Sequence, residues 1–559
     1  MVIPQRGATV GEVLDPVLAE APEREALVTA GGRWTYAELD RACDAAAGAL
    51  TELGVGPGDR VAACLPNDVD VVTAFHGAMR IGAIWVGINR ALAPPEKAFI
   101  LTDSSTSLVL ADEVTLDELS PLRPDLTGVR HWLDVAGAPW RDAVAASAAT
   151  AAAIGVSADT RAATRTDTDT RVGAGRARID PHAPAAIAYT SGTTGHPKGA
   201  VHSQHNLVVP GAAVVASRGY GPDLRKGDCL PLTILNMLVL TTLLVAQAGG
   251  TCIVMDRVEA TSVADWIRRE RVTTWNGVPA LLHTMAHEDS IPAAALASLD
   301  ELWVGGADCP ESLRRAVAEK FGLALTHTYG LTEAPTIVTI DPRPIPGGAD
   351  PHRSGASGKA LPHLALRIQA PPAPDGDGRD GRPGPATAGG EAGEMGAGEI
   401  CFAAVEEGPW AGVYRPPLGY WQRPEASAEL LAGGVVHTGD IGHVDEDGYL
   451  SVRDRKNQLI LRGGANVYPA EVERVLLARP EVEAAAVVGL PDERLGQRVA
   501  AAVQLAAGAT VTTEELAAAC ARELARYKVP ERWVMVDSFT RNSMGKIDRR
   551  ALGDLFPVP

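Results

Sequence analysis

Short apolar, β-branched runs alternate with longer Ala-rich stretches along most of this chain. The runs RVAACLPN, SLVLAD, AAIAYTSG, GTCIVM and ELWVGG predict strands, and residues 69–81 and 263–270 predict helices. Such alternation points to α/β layers with largely parallel sheets. Two stretches break the pattern. Residues 141–180 are rich in Ala, Thr, Arg and Asp with no sustained period, and residues 371–397 are dominated by Gly, Pro and Ala. Neither composition buries a core, so both are expected to be surface excursions or mobile loops. After about residue 455 the pattern becomes that of a small α+β unit, with helices expected near 469–478 and 514–525. The expected fold is therefore α/β: a large N-terminal domain of layered sheets and helices, followed by a small α+β domain.

One apolar segment is long enough to cross a bilayer: nothing between Asp228 and Asp256 is charged. Pro231, Asn236, Gln247 and the adjacent Gly249 and Gly250 cut it into a loop, a helix and a strand. We read it as buried core, with no membrane span.

Composition narrows the functional classes. The 559 residues carry 51 Lys plus Arg against 69 Asp plus Glu, a formal charge of −18. That field repels polyanions, so a nucleic-acid partner or an anionic membrane surface is not expected. A small anionic ligand remains compatible, because local backbone N–H groups override net charge. Seven cysteines are scattered without a C-x-x-C pair, and the N-terminus shows no basic region before an apolar run. Both features fit a reduced, cytoplasmic protein without a structural zinc site or signal peptide.

The strongest chemical motif is YTSGTTGHPKGA at residues 189–200, between a strand-like and a helix-like run. Thr190, Ser191, Gly192, Thr193, Thr194 and Gly195, with Lys198, offer N–H, O–H and ammonium donors suited to a polyphosphate. Lys198 is followed by Gly199, and the Walker A spacing is absent. Four further motifs follow in order: YGLTEA at 329–334, HTGD at 437–440, DRKNQLILRGGANVYPAEVE at 454–473 and NSMGKIDR at 542–549.

This ordered set resembles the adenylate-forming enzymes, the group of acyl-CoA synthetases, peptide-synthetase adenylation domains and luciferases, over nearly the whole chain. The resemblance implies an N-terminal domain over 1–455 and a mobile C-terminal domain over 456–559, hinged at Asn457, where the family more often has Asp or Lys. It implies ATP and Mg2+, with CoA as co-substrate. Tyr329 would cover adenine, Glu333 would hold magnesium, and Thr332 would reach the phosphate or the substrate carboxylate. Gly306, Ala307 and Asp308 join the nucleotide site by the same resemblance. Asp440 and Arg455 resemble the ribose contacts, and Gly463 with Gly464 would meet the pantetheine tunnel. Lys546 is the expected catalytic residue.

The implied reaction is attack of a carboxylate on the α-phosphorus of ATP. Two anions must meet, so the barrier is largely electrostatic, and one mobile ammonium at Lys546 lowers it. No general base is needed, because the nucleophile is already ionised.

Departures from the family pattern bear on the acid. Thr233 and Ile234 stand where an aromatic and a histidine are common, and the aspartate that holds an α-ammonium is missing. A pocket of Ile234, Val304, Gly305, Gly330 and Ile337 is expected to take a hydrophobic acyl or aryl acid rather than an α-amino acid. The leading expectation is a small carboxylic acid activated as acyl-AMP and passed to CoA. The alternatives are transfer to a phosphopantetheinylated carrier protein or an amine, and a nucleotide-binding regulator, which the presence of Lys546 and Glu333 disfavours. Two other features are read as structural: residues 445–448 as a hairpin turn, and His202 with His205 as polar helix-start residues rather than metal ligands.

Overall fold

The computed structural model describes residues 7–153, 179–190, 197–306, 309–343, 351–369 and 397–455, then 458, 460–462, 465–467, 469–492, 496–524, 526–541, 547–549 and 552–556. Among the described residues the strands form four sheets. The largest has six parallel strands in the order Leu325–Leu331, Glu301–Gly305, Thr274–Gly277, Arg225–Asp228, Thr251–Val254 and Glu25–Thr29. Antiparallel strands flank it: Thr336–Ile340 and Lys359–Ala360 on one edge, Gly32–Thr35 on the other. The second sheet runs His131–Asp134, Leu108–Ala111, Arg60–Cys64, Ile84–Gly87 and Pro184–Thr190 in parallel, and ends on antiparallel Lys198–Ser203. Parallel strands are covered on both faces, which is why their sequences are continuous apolar runs rather than alternating ones.

The main core cluster joins these two sheets through the helices Tyr36–Glu52, Val69–Arg80 and Gln204–Arg218 that lie between them. Gly77 permits the first two to touch: a Cβ there would lie 2.9 Å from the Ala47 nitrogen. Other helices, including Ala260–Glu270, cover the far face of the large sheet. A third, antiparallel sheet holds Leu364–Gln369, Gly398–Ala404, Val436–Val444 and Leu450–Arg455. The fourth follows in sequence, from Ile460–Arg462 to Arg532–Val536, with its own core and the helices Pro469–Leu477 and Thr513–Glu523.

The uncharged segment is the expected loop, helix and strand. The short helix Leu235–Leu238, a π-turn Val239–Leu243 and the helix Leu244–Ala248 lead to the strand Thr251–Val254. No described helix is long and apolar enough to cross a membrane. Residues 445–448 form the expected hairpin turn, with Gly448 at φ +83°. All seven cysteines remain thiols.

One expectation is corrected. Residues 141–153 are not an irregular excursion but continue the helix Ala138–Ala153. The helix packs against Tyr36–Glu52 at Gly48, where a Cβ would meet the Ser147 hydroxyl at 1.9 Å. Contacts between alanines and a glycine carry too little contrast in hydrophobicity for periodicity to register. Residues 154–178 and 370–396 lie outside the described residues.

Candidate active site

The site gathers where parallel strands end, the usual place for a ligand in an open α/β sheet. The strand Pro184–Thr190 turns into Lys198–Ser203 with Thr190 opposite Lys198. Between them, Ser191, Gly192, Thr193, Thr194 and Gly195 lie outside the described residues. The base of the loop is firmly held. A Cβ at Gly199 would lie 2.5 Å from Ile187, so only glycine lets Tyr189 fold across it. The Tyr189 hydroxyl donates to Asp103 at 2.8 Å, and Arg423 donates to the other Asp103 oxygen at 2.6 Å. Burial, then the Asp103 carboxylate, raise the Tyr189 pKa well above the phenol range and keep it a donor.

Tyr420, which the sequence reading did not single out, links two motifs. Its hydroxyl donates to Glu333 Oε1 at 2.6 Å, and the Lys198 ammonium sits 5.3 Å from its ring centroid. Bridge pairing with Ala200 and a hydrogen bond from its N–H to the Ser427 hydroxyl fix it in place.

The YGLTEA motif begins at the end of the strand Leu325–Leu331. A bulge separates Tyr329 from Gly330, whose Cβ, if present, would lie 1.8 Å from the Thr336 carbonyl oxygen. Gly305, on the neighbouring strand, is similarly required: its Cβ would lie 2.2 Å from the Thr328 hydroxyl. Gly306 follows at φ +78°, while Ala307 and Asp308 lie outside the described residues. The Thr332 carbonyl accepts a hydrogen bond from His202 Nε2 at 2.8 Å. His202 is thus not a helix-start residue. It lies on the strand Lys198–Ser203, fully buried, and burial lowers its pKa to about 4, so it is a neutral donor at pH 7. His205, also buried, binds the Val413 carbonyl at 2.6 Å from the first turn of the following helix. Ser203 caps that helix, with Asn206 completing the box.

Tyr329 and Asp440, 111 positions apart, meet through a 2.6 Å hydrogen bond from the phenol to Asp440 Oδ2. Asp440 sits in an irregular stretch of the strand Val436–Val444, where Gly439 takes φ +70°. Thr438 holds that stretch, donating its hydroxyl to the Ile400 carbonyl and accepting the Asp440 N–H. Arg455 is the register partner of Asp440 on the next strand. Asn457, Gly463, Gly464 and Lys546 lie outside the described residues.

The expected pocket residues do not all face one way. Ile337 belongs to the main core cluster with Trp303, and Met237 packs against it. Ile234 is half-buried at the start of the helix Leu235–Leu238. Val304 instead packs into the cluster on the far side of the large sheet, and its carbonyl accepts from the Thr328 hydroxyl at 3.2 Å. Beside Met237 lies a buried polar pair not anticipated from sequence. Lys226 donates to Asn276 Oδ1 at 2.6 Å and lies 5.3 Å from the Trp303 ring centroid. Burial lowers the Lys226 pKa and raises that of Asp228, 3.9 Å away. The charged RKGD string heading an apolar segment was the available signal.

Comparison with known proteins agrees with this arrangement. The sequence matches the AMP-binding enzyme family over residues 14–403 and the AMP-binding enzyme C-terminal domain over 471–546. It is 32% identical over 534 residues to the long-chain-fatty-acid–CoA ligase FadD13 of Mycobacterium tuberculosis, covering 94% of this chain and 93% of that one. It is 33% identical over 540 residues to the fatty acid–[acyl-carrier-protein] ligase ScoC of Streptomyces coeruleorubidus, covering 96% and 94%. Among solved structures it resembles ATP-bound MatB from Rhodopseudomonas palustris, with TM-score 0.78, 26% identity and coverage of 97% and 98%.

Proposed function

The chain belongs to the family of AMP-binding enzymes, and from that premise we propose that it activates a hydrophobic acyl or aryl acid and delivers it to CoA. In the first half-reaction a carboxylate oxygen bonds to the α-phosphorus of ATP and pyrophosphate leaves, giving acyl-AMP. In the second, the CoA thiol adds at the acyl carbon, loses its proton, and AMP departs.

The observation that carries this reading is the hydrogen bond joining Tyr329 to Asp440. It supports a nucleotide site there, because an aromatic face suited to adenine stands beside a carboxylate of the kind that accepts ribose hydroxyls. Asp440 is 4% exposed, so hydrogen bonds that its carboxylate accepts are little screened by water. On the phosphate side, residues 190–195 and Lys198 offer donors to the polyphosphate. The Glu333 donor set fits magnesium: a hard, partly exposed carboxylate with one oxygen oriented by Tyr420. When bound, Mg2+ would neutralise charge on the phosphate oxygens and the departing pyrophosphate. His202 holds the backbone at Thr332, so that the adjacent Glu333 and the Thr332 hydroxyl keep their positions.

Lys546, the last residue of the match to the C-terminal domain, supplies the ammonium that bridges the incoming carboxylate and the α-phosphate. The break at 455/456, with Asn457 as hinge, lets the C-terminal domain exchange Lys546 for Gly463 and Gly464 between half-reactions. Ile234, Met237, Trp303 and Ile337 favour an apolar acid tail. The absence of a C-x-x-C pair and seven thiols suit a cytoplasmic enzyme.

Transfer to a phosphopantetheinylated carrier protein is the second reading, favoured by the similarity to ScoC. Product analysis with CoA and with a loaded carrier separates them. Acyl-CoA formed from CoA supports the first, and acylation of the carrier alone rejects it in favour of the second.

A further inference from the structure

The strands Gly398–Ala404 and Val436–Val444 run antiparallel, with Cys401 directly opposite His437. Side chains two positions apart on a strand share a face, which sets Glu399 beside them. Three different donors converge there. Cys401 Sγ lies 3.5 Å from His437 Nδ1, and Glu399 Oε2 lies 3.2 Å from that same nitrogen. One donor atom from each residue lies within 4.8 Å of the other two. A tetrahedral zinc ion, with S at about 2.3 Å and N and O at about 2.0 Å, would hold S and N about 3.5 Å apart and N and O about 3.3 Å apart. The S–N and N–O separations match, and the S–O separation lies within 4.8 Å.

The outer atoms of the trio are occupied in the way metal ligands require. His437 Nε2 faces the Ala432 carbonyl at 3.2 Å, and an imidazole that donates there through Nε2 turns its Nδ1 toward Glu399 and Cys401 as a ligand atom. Glu399 Oε1 accepts the Gly439 N–H at 3.2 Å, leaving Oε2 as the atom directed at Nδ1. In that tautomer a lone pair and a carboxylate oxygen face each other, and a cation fits between them. A proton would satisfy that pair alone. The buried Cys401 sulfur, 3.5 Å from Nδ1, adds a third donor of the kind a borderline-soft metal takes.

We propose that Glu399, Cys401 and His437 bind a divalent cation of the Zn2+ class, with water as fourth ligand and the thiol proton released to solvent. The His437 and Glu399 side chains are 18% and 12% exposed, so solvent reaches the site from their side. The trio brackets the irregular stretch that carries Asp440, yet shares no residue with the magnesium position at Glu333. The ligands lie on two strands, and the 36-residue separation of Cys401 from His437 hides the site from any sequence-spacing rule.

Co2+ titration of the chelator-treated full-length protein tests this. The expected result is a thiolate-to-cobalt charge-transfer band that saturates at one equivalent, is displaced by Zn2+, and is not displaced by excess Mg2+. Cys401→Ser should abolish the band, whereas Cys309→Ser, at the one cysteine that is not fully buried, should leave it intact. Glu399→Gln keeps the side-chain shape and guards against misfolding as an explanation. It should weaken Co2+ binding on the order of tenfold or more while the thermal melt stays unchanged. Absence of the band, or its survival in Cys401→Ser, overturns the site and leaves the trio as a His437–Glu399 ion pair.

Discussion

Tyr420→Phe removes one hydroxyl and leaves the ring, so it isolates the hydrogen bond to Glu333. That bond is 2.6 Å long and ends on a carboxylate. Hydrogen bonds to charged groups contribute about 1.5–3 kcal/mol, and partial exposure of Glu333 lets water recover some of it. The low end, about 1.5 kcal/mol, corresponds to about a tenfold loss in kcat/KM for ATP. Lys198 keeps its aromatic neighbour at 5.3 Å in this variant. Tyr420→Leu removes that neighbour too, adding about 0.5–1 kcal/mol, a further two- to fivefold. The assay is steady-state pyrophosphate release with ATP and Mg2+ varied independently. Tyr420→Phe should need more Mg2+ for half-maximal rate, since its Glu333 carboxylate is no longer oriented. Wild-type kcat/KM together with an unchanged Mg2+ dependence would refute the positioning role.

Three other outcomes follow from the same geometry. Tyr329→Phe deprives the buried Asp440 of its phenol donor, and KM for ATP should rise on the order of ten- to a hundredfold, with an unchanged value as the contrary result. Gly330→Ala forces a Cβ to within 1.8 Å of the Thr336 carbonyl; displacing the end of that strand should cost on the order of a hundredfold in kcat/KM, and near-normal activity would contradict it. Folded His202 and His363 are held neutral by burial, with pKa values near 4 and 3 against 6.5 for the free side chain. Below about pH 6.5 the unfolded chain therefore binds protons that the folded chain refuses, and stability falls by up to about 1.4 kcal/mol per pH unit for each histidine until those lower values are reached. Urea midpoints measured from pH 7 to 5 should decline, less steeply in His202→Gln, and a flat profile would contradict the burial argument.

What could be read from the sequence was whatever lies within a few residues. Parallel strands announced themselves as apolar runs because both of their faces are covered, and residues 189–200 and 329–334 carry their chemistry on consecutive positions. The partners that hold those motifs come from distant segments. Tyr420 reaches Glu333 across 87 positions and His202 reaches Thr332 across 130, so neither has a local signature. Val304 was expected in the pocket, but strand alternation turns its side chain to the other face of the sheet. The helix Ala138–Ala153 escaped notice because, beyond Trp140 and Val144, its contacts run through small residues, as where Ser147 meets Gly48.

The central claim is acid activation driven by the lysine of the C-terminal domain. It is tested most directly by acid-dependent pyrophosphate release from ATP across a panel of aliphatic and aryl acids, in wild type and Lys546→Ala. The expected result is release that requires a hydrophobic acid and falls on the order of a hundredfold or more in the variant, with ATP binding retained. Release that is unchanged in Lys546→Ala, or that no acid triggers in the wild type, would contradict the account.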